Sequence, residues 1–217
     1  MDGQCSLPSP IAIDGPAASG KSTVGRALAM RFGYRFVDTG LMYRAYCLAA
    51  LQRRLTADMT EECCRLAMDL VLVVQGESET HILLDGEDVT AALTSAAVEA
   101  NVSPFSQLPC VRERMVRQQR ELGRLPRVVM AGRDIGSVVL PNAPLKIFLE
   151  ADEMARAGRR GHQAGTGIAA RANVAHRDGI DRARTLQMAD AVLIDTTNLS
   201  LEEVVKLVVE LVECAPA

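Results

Sequence analysis

Gly15-Pro16-Ala17-Ala18-Ser19-Gly20-Lys21-Ser22 follows the apolar run Pro10-Ile11-Ala12-Ile13 and opens a helix-like stretch that ends at Phe32. It spells G-x-x-x-x-G-K-[ST], the phosphate loop, in the strand–loop–helix setting that this motif requires. Gly15 and Gly20 permit a backbone wrap in which successive N–H groups face phosphate oxygens. The helix that follows adds the partial positive charge of its N-terminus. In such a loop Lys21 reaches the outer phosphates and the Ser22 hydroxyl holds Mg²⁺. Residues Gly15, Pro16, Ala17, Ala18, Ser19, Gly20, Lys21, Ser22 and Thr23 are the predicted nucleoside triphosphate site. A chance glycine-rich turn before a helix would look similar, but the flanks disfavour it.

The chain has 217 residues, 48% of them apolar, which suffices for one sizeable core with one or two small lobes. A net charge of −3 and an isoelectric point near 5.7 provide no global field for nucleic acid or an anionic membrane. Lys21, Lys146 and Lys206 are the only lysines; every other basic residue bar the histidines is arginine. A GC-rich genome would give that bias, and so would a need for forked guanidinium groups on phosphate. Six cysteines lack metal-site spacing and no secretory signal precedes them, so reduced, mostly packed thiols in a cytoplasmic protein are expected. His81, His162 and His176 form no spaced set. No apolar run approaches the roughly 20 residues of a membrane span. Met1 to Ser9 reads as a short frayed tail.

Apolar runs alternate with helical patterns along most of the chain. Strands are predicted at Pro10–Asp14, Arg35–Asp38, Val128–Ala131, Leu145–Glu150 and Ala191–Asp195. Helices are predicted at Lys21–Phe32, Leu41–Arg54, Thr60–Asp69, Pro109–Glu121, Ala151–Arg160 and Ser200–Val212. This alternation predicts an α/β fold with a parallel sheet covered on both faces. Ser200 and Glu203 form a capping box for the last helix. Residues 70–103 break the pattern with Leu70–Val74, His81–Leu84 and Asp85-Gly86-Glu87-Asp88, which predicts a small β-rich lobe inserted into the core. Residues 161–184, rich in glycine and then in charge, read as a surface flap.

Three constellations carry chemistry. Asp38 ends the second predicted strand, on the edge where doubly wound folds place ligands, and Arg44 stands one turn into the next helix. Asp38 could equally cap that helix, leaving Arg44 on a solvated face. Gly132-Arg133-Asp134-Ile135-Gly136 follows the strand Val128–Ala131, with two glycines bracketing an Arg–Asp pair where a ligand could approach the backbone closely. A local ion pair in a tight turn is the duller alternative. In the flap, Arg177, Asp181 and Arg184 share one helical face; a solvated face with i,i+4 pairs is the usual meaning of such a run.

Taken together, Ile13-Asp14-Gly15 with the phosphate loop, Asp38-Thr39-Gly40-x-x-Tyr43-Arg44, Gly132-Arg133-Asp134-x-Gly136 and R-D-x-x-D-x-x-R at 177–184 resemble the bacterial cytidylate kinases, in order, from about Pro10 to Val212. The stretch Leu84-Asp85-Gly86-Glu87-Asp88-Val89 is similar to the insertion of those enzymes. The resemblance implies a P-loop NTPase-type sheet flanked by helices, with a small NMP-binding insertion and a short lid. It implies one kinase domain over 1–217: core at 10–60, 109–155 and 186–214, insertion at about 61–108, lid at about 156–185. It also implies roles. Arg44 and Arg133 hold the acceptor's phosphate; Thr39, Arg112, Asp134 and Arg184 contact cytosine; Ser103, Arg177 and Asp181 hold the sugar, ribose or deoxyribose. Lys21, Asp38, Arg44 and Arg133 form the expected catalytic set, with Ser22 on Mg²⁺. Between Arg160 and Arg177, and again after Arg184, the chain is shorter than typical members.

The implied reaction is ATP-dependent phosphorylation of CMP and dCMP in pyrimidine nucleotide metabolism, by a cytoplasmic monomer with no nucleic-acid or membrane partner. Dephospho-coenzyme A and shikimate kinases share the loop and fold but would not be expected to carry Gly132-Arg133-Asp134 with the 177–184 pattern. A regulatory GTPase would need a guanine-reading N-K-x-D, which is absent. A nucleic-acid binder is disfavoured by the acidic charge and the lack of aromatic clusters.

Overall fold

The computed structural model describes residues 7–164 and 188–215. Five parallel strands form the main sheet: β1 (Ile11–Asp14), β2 (Arg35–Asp38), β6 (Val128–Ala131), β7 (Leu145–Glu150) and β8 (Val192–Asp195). Their order is β2-β6-β1-β7-β8. Every residue of β1 and β6 is buried, as expected of central parallel strands covered on both faces. The two-residue period of the strands sorts their side chains into two cores. Ile11, Ile13, Val129, Ile147 and Leu149 pack against Val24 and Leu28 of α1 (Lys21–Phe32) and Val204 and Val208 of α7 (Leu201–Cys214). Ala12, Val128 and Met130 face the other way, onto Met42 and Tyr46 of α2 (Thr39–Gln52), Phe105 of α4 (Ala96–Gln107) and Met115 of α5 (Pro109–Gly123). Full burial of one such side chain contributes about 1.5–3 kcal/mol. α7 opens on the expected capping box: the Ser200 hydroxyl accepts from the Glu203 N–H, and Glu203 Oε2 accepts from the Ser200 N–H.

Register places the ligand edge. Ala131 of β6 lies opposite Ile13 of β1 on one side and Asp38 of β2 on the other. Asp14, Asp38 and Gly132 therefore leave the sheet side by side, at its C-terminal edge.

Between α2 and α5 the chain builds α3 (Thr60–Asp69) and an antiparallel sheet of β3 (Leu72–Gln75), β4 (His81–Leu84) and β5 (Glu87–Asp88). Asp85 (φ 49°) and Gly86 (φ 90°) make the two-residue turn between β4 and β5. Positive φ at both central positions is the reason Asp-Gly serves there. This insertion is less β-rich than predicted. A 3₁₀ turn at Thr90–Thr94 is followed by α4, which carries Pro104 in its interior. Nor is the insertion separate: Cys63, Leu66, Leu72, Ile82, Leu93 and Val98 share one hydrophobic cluster with Val37, Met42 and Tyr46 of the main layer. α6 spans Glu153–Ala164. α2 starts two residues before its predicted first residue, because the Asp38 carboxylate caps it through the Gly40 N–H.

One sequence expectation is overturned. Cys64 of α3 and Cys110 of α5 form a disulfide, where all thiols were expected reduced. α3 and α5 pack side by side and bring the two Cα atoms to 5.5 Å, within bonding range, although 46 positions separate them. Cys47, Cys63 and Cys214 are free among the described residues. No helix among the described residues is long and apolar enough to cross a membrane.

Candidate active site

The phosphate loop closes over the C-terminal end of β1. Gly15 has φ 146°, and a Cβ built there would stand 2.1 Å from the Leu149 carbonyl oxygen of β7, so only glycine lets the loop lie so close to the sheet. From the first turn of α1, the Lys21 ammonium donates to the Pro16 carbonyl at 2.5 Å, with Ser19 Oγ at 3.4 Å. The Ser22 hydroxyl donates to Asp38 Oδ2 at 2.6 Å, while Asp38 Oδ1 takes the Gly40 N–H at 3.0 Å. Asp38 thus caps its helix and also meets the phosphate loop. The two uses were alternatives in the sequence; the side chain has an oxygen for each.

Beside the loop lies a cleft of about 200 Å³. Ala17, Ala18, Lys21 and Ser22 line one wall; Asp38, Thr39 and Arg44 come from the β2–α2 segment, Ser103 from α4, Arg112 from α5, and Arg133 and Asp134 from the turn after β6. Eleven of the predicted site residues, drawn from five segments, therefore share one concavity. Gly15, Pro16, Ser19, Gly20 and Thr23 shape the loop without lining the cleft. Arg177, Asp181 and Arg184 lie outside the described residues.

Polar contacts fix the orientation of most of these groups. The Thr39 hydroxyl donates to the Ala131 carbonyl at 2.8 Å, which leaves its oxygen only lone pairs to offer. Arg112 Nη2 donates to Asp134 Oδ2 at 2.6 Å in a half-buried ion pair. Arg44 donates to the Leu93 carbonyl at 2.8 Å and to Glu99 at 2.6 Å, and burial pulls its pKa below the ordinary arginine value. Behind the loop, Arg156 of α6 is 7% exposed and donates to the Ala151 and Ala17 carbonyls; Arg159 donates to Thr196. Arg156 thereby braces the loop from behind, Arg159 holds the segment after β8, and neither lines the cleft.

Asp14, Glu99 and the bracing role of Arg156 were missed in the sequence. Asp14 closes an apolar strand as a fully buried carboxylate, and its charge after Ile13 was the available signal. Its oxygens accept the Ile135 N–H at 2.6 Å and the Gly136 N–H at 2.8 Å, the two amides just after Arg133-Asp134. One carboxylate thus ties the phosphate-loop strand to the turn that presents the Arg–Asp pair. Burial pushes its pKa from 3.8 up to about 6, against the pull of those two amides. Between these values the folded protein binds a proton that the unfolded chain has already released. Rising pH therefore lowers stability across this window, by up to about 3 kcal/mol, with no further change above it. Relative to Asp14→Asn, the wild-type protein is expected to lose about 2 kcal/mol of stability from pH 4 to 6.5 in urea titrations; a constant difference would show that Asp14 titrates normally.

Comparison with known proteins adds independent observations. Residues 11–214 match the model of the family described as cytidylate kinase. A cytidylate kinase of Chloroflexus aggregans is 44% identical over 93% of this chain and 93% of its own length. One from Geobacillus sp. is 42% identical over 93% and 95%, and one from Chlorobaculum tepidum 41% over 93% and 92%. Among solved structures, a gluconokinase from Sinorhizobium meliloti aligns with a TM-score of 0.52 and 16% identity over 95% of this chain and 94% of its own. An uncharacterized protein from Eubacterium ventriosum aligns at 0.53 and 11%, over 94% and 98%. At such identities these two structures speak to the fold alone.

Proposed function

The chain belongs to the cytidylate kinase family, and we propose that it moves the γ-phosphoryl group of ATP onto the phosphate of CMP or dCMP across the cleft beside Lys21. The observation that carries this is convergence: the phosphate loop faces Arg44, Arg112, Arg133 and Asp134, four groups from three other segments, around one concavity. ATP's phosphates would lie in the loop, residues 15–23. Arg44 and Arg133 would hold the acceptor phosphate, Ser103 the sugar, and Thr39, Arg112 and Asp134 the base. Arg177, Asp181 and Arg184 would complete the set from the segment outside the described residues.

The reacting oxygen belongs to a phosphate already ionised at neutral pH, so no strong general base is required. Alignment and charge stabilisation carry the reaction. Lys21 meets the first demand on the donor side, and the two arginines meet the second on the acceptor side. The hydroxyl of Ser22 and the carboxylate of Asp38, 2.6 Å apart, are the hard oxygen ligands that Mg²⁺ accepts alongside phosphates and water. When bound there, Mg²⁺ would neutralise charge on the transferring group.

Base selection follows from donor and acceptor pattern. Thr39 can only accept, because its proton is committed to Ala131. Asp134 also accepts. Both suit an exocyclic amino group, as on cytosine, and repel a carbonyl oxygen, as on uracil. ADP release measured across CMP, dCMP, UMP, AMP and shikimate tests the proposal. CMP and dCMP are expected to exceed the others in kcat/KM by about 10²-fold or more. Preference for AMP or shikimate, or no turnover of CMP, would overturn it. In the same assay Asp134→Ala is expected to cut the CMP/UMP ratio by about tenfold; an unchanged ratio removes Asp134 from base selection.

A further inference from the structure

Arg44 stands at the acceptor side of the cleft with its side chain only 11% exposed, and two points of the insertion hold it. Its Nη1 donates to the Leu93 carbonyl in the 3₁₀ turn at 2.8 Å, and its Nη2 to Glu99 Oε2 on α4 at 2.6 Å. Glu99 is 55 residues further along the chain and 18% exposed, so both partners of this ion pair are largely withdrawn from water. Among the described residues the other N–H groups of Arg44 meet no protein acceptor.

A long arginine side chain reaching from α2 has many rotamers. A lone carbonyl acceptor does not fix the plane of its fork, whereas a carbonyl and a carboxylate together do. Glu99 shares α4 with Ser103, which lines the same cleft, so one helix sets the guanidinium and also presents a hydroxyl. We infer that Glu99 is a positioning residue for phosphoryl transfer: it orients Arg44 in advance and offsets its buried charge until an acceptor phosphate arrives. The inference rests on the proposed placement of the acceptor phosphate at Arg44. Preorganisation of this kind is expressed in acceptor affinity, because the guanidinium need not be ordered during binding. Glu99 also has the opposite electrostatic tendency, since a carboxylate beside an anion site repels the anion. The sign of the effect on removal therefore decides between orientation and repulsion.

Steady-state kinetics on the full chain, with CMP and ATP varied in turn, test this. Glu99→Ala is expected to raise KM for CMP about tenfold and to move KM for ATP by less than about twofold. Glu99→Gln retains an acceptor oxygen and is expected to recover part of the loss. In an Arg44→Ala background Glu99→Ala is expected to add nothing further, because the group it orients is gone. Circular dichroism melting establishes that each variant is folded; if Glu99→Ala is not, Glu99→Gln alone and in the Arg44→Ala background carries the test. An unchanged or lower KM for CMP in a folded Glu99 variant, or additive losses with Arg44→Ala, would overturn the inference. Wild-type protein that fails to phosphorylate CMP defeats the proposed function. Normal wild-type turnover with an insensitive Glu99 defeats only the positioning role.

Discussion

Lys21→Ala is expected to lower kcat for CMP phosphorylation by about 10³-fold, the scale seen when one preorganised donor to a developing charge is removed. The loss should fall on turnover and leave the fold intact. Lys21 is the first residue of α1, and its ammonium donates to the Pro16 carbonyl of the loop, with Ser19 Oγ at 3.4 Å. Alanine is a good helix former, so the substitution suits the first turn of α1. Urea titration should place the variant within about 0.5 kcal/mol of wild type. Folded Lys21→Ala with near-normal ADP release would remove the phosphate loop from the chemistry.

The second large effect concerns stability. Opening the Cys64–Cys110 bridge is expected to cost about 4 kcal/mol, the chain-entropy value for a loop of this size. The bond closes 46 residues of chain, and its partners sit on two helices that also pack against each other. Reduction therefore acts mainly on the unfolded ensemble, leaving folded-state contacts in place. Domains of this size are stable by only about 5–15 kcal/mol, so the change is a large fraction of the total. Urea midpoints for wild type with and without dithiothreitol, and for Cys64→Ser, measure it. The reduced protein and the variant should coincide; equal midpoints for oxidised and reduced protein would show that the bridge contributes nothing.

Both predictions draw on features that differ in how far the sequence revealed them. The phosphate loop was legible because its glycines, lysine and serine sit at fixed spacing between an apolar run and a helix. The central strands were legible because Val128–Ala131 and Leu145–Glu150 are apolar runs bounded by polar residues, and both agree with the observed bounds. α4 was not legible. Pro104 argues against a helix interior, and with α4 unseen Glu99 had no face and no partner. The disulfide was hidden for a related reason, since it depends on α3 lying beside α5, a fact of packing that spacing along the chain does not encode. Asp14 stood in plain view, but its role depends on two backbone amides at 135 and 136, which no side-chain pattern announces.

The Cys64–Cys110 bond has a topological consequence besides its energy. It encloses β3, β4, β5, the 3₁₀ turn and α4, so this stretch is a covalent ring threaded into the chain by two helices. A protease that nicks the ring once releases no fragment; the two pieces stay linked until a reductant parts them. Wear at the exposed β4–β5 turn, where Gly86 lies open, would therefore leave Arg44's clasp and the cleft's far wall still tethered to the molecule.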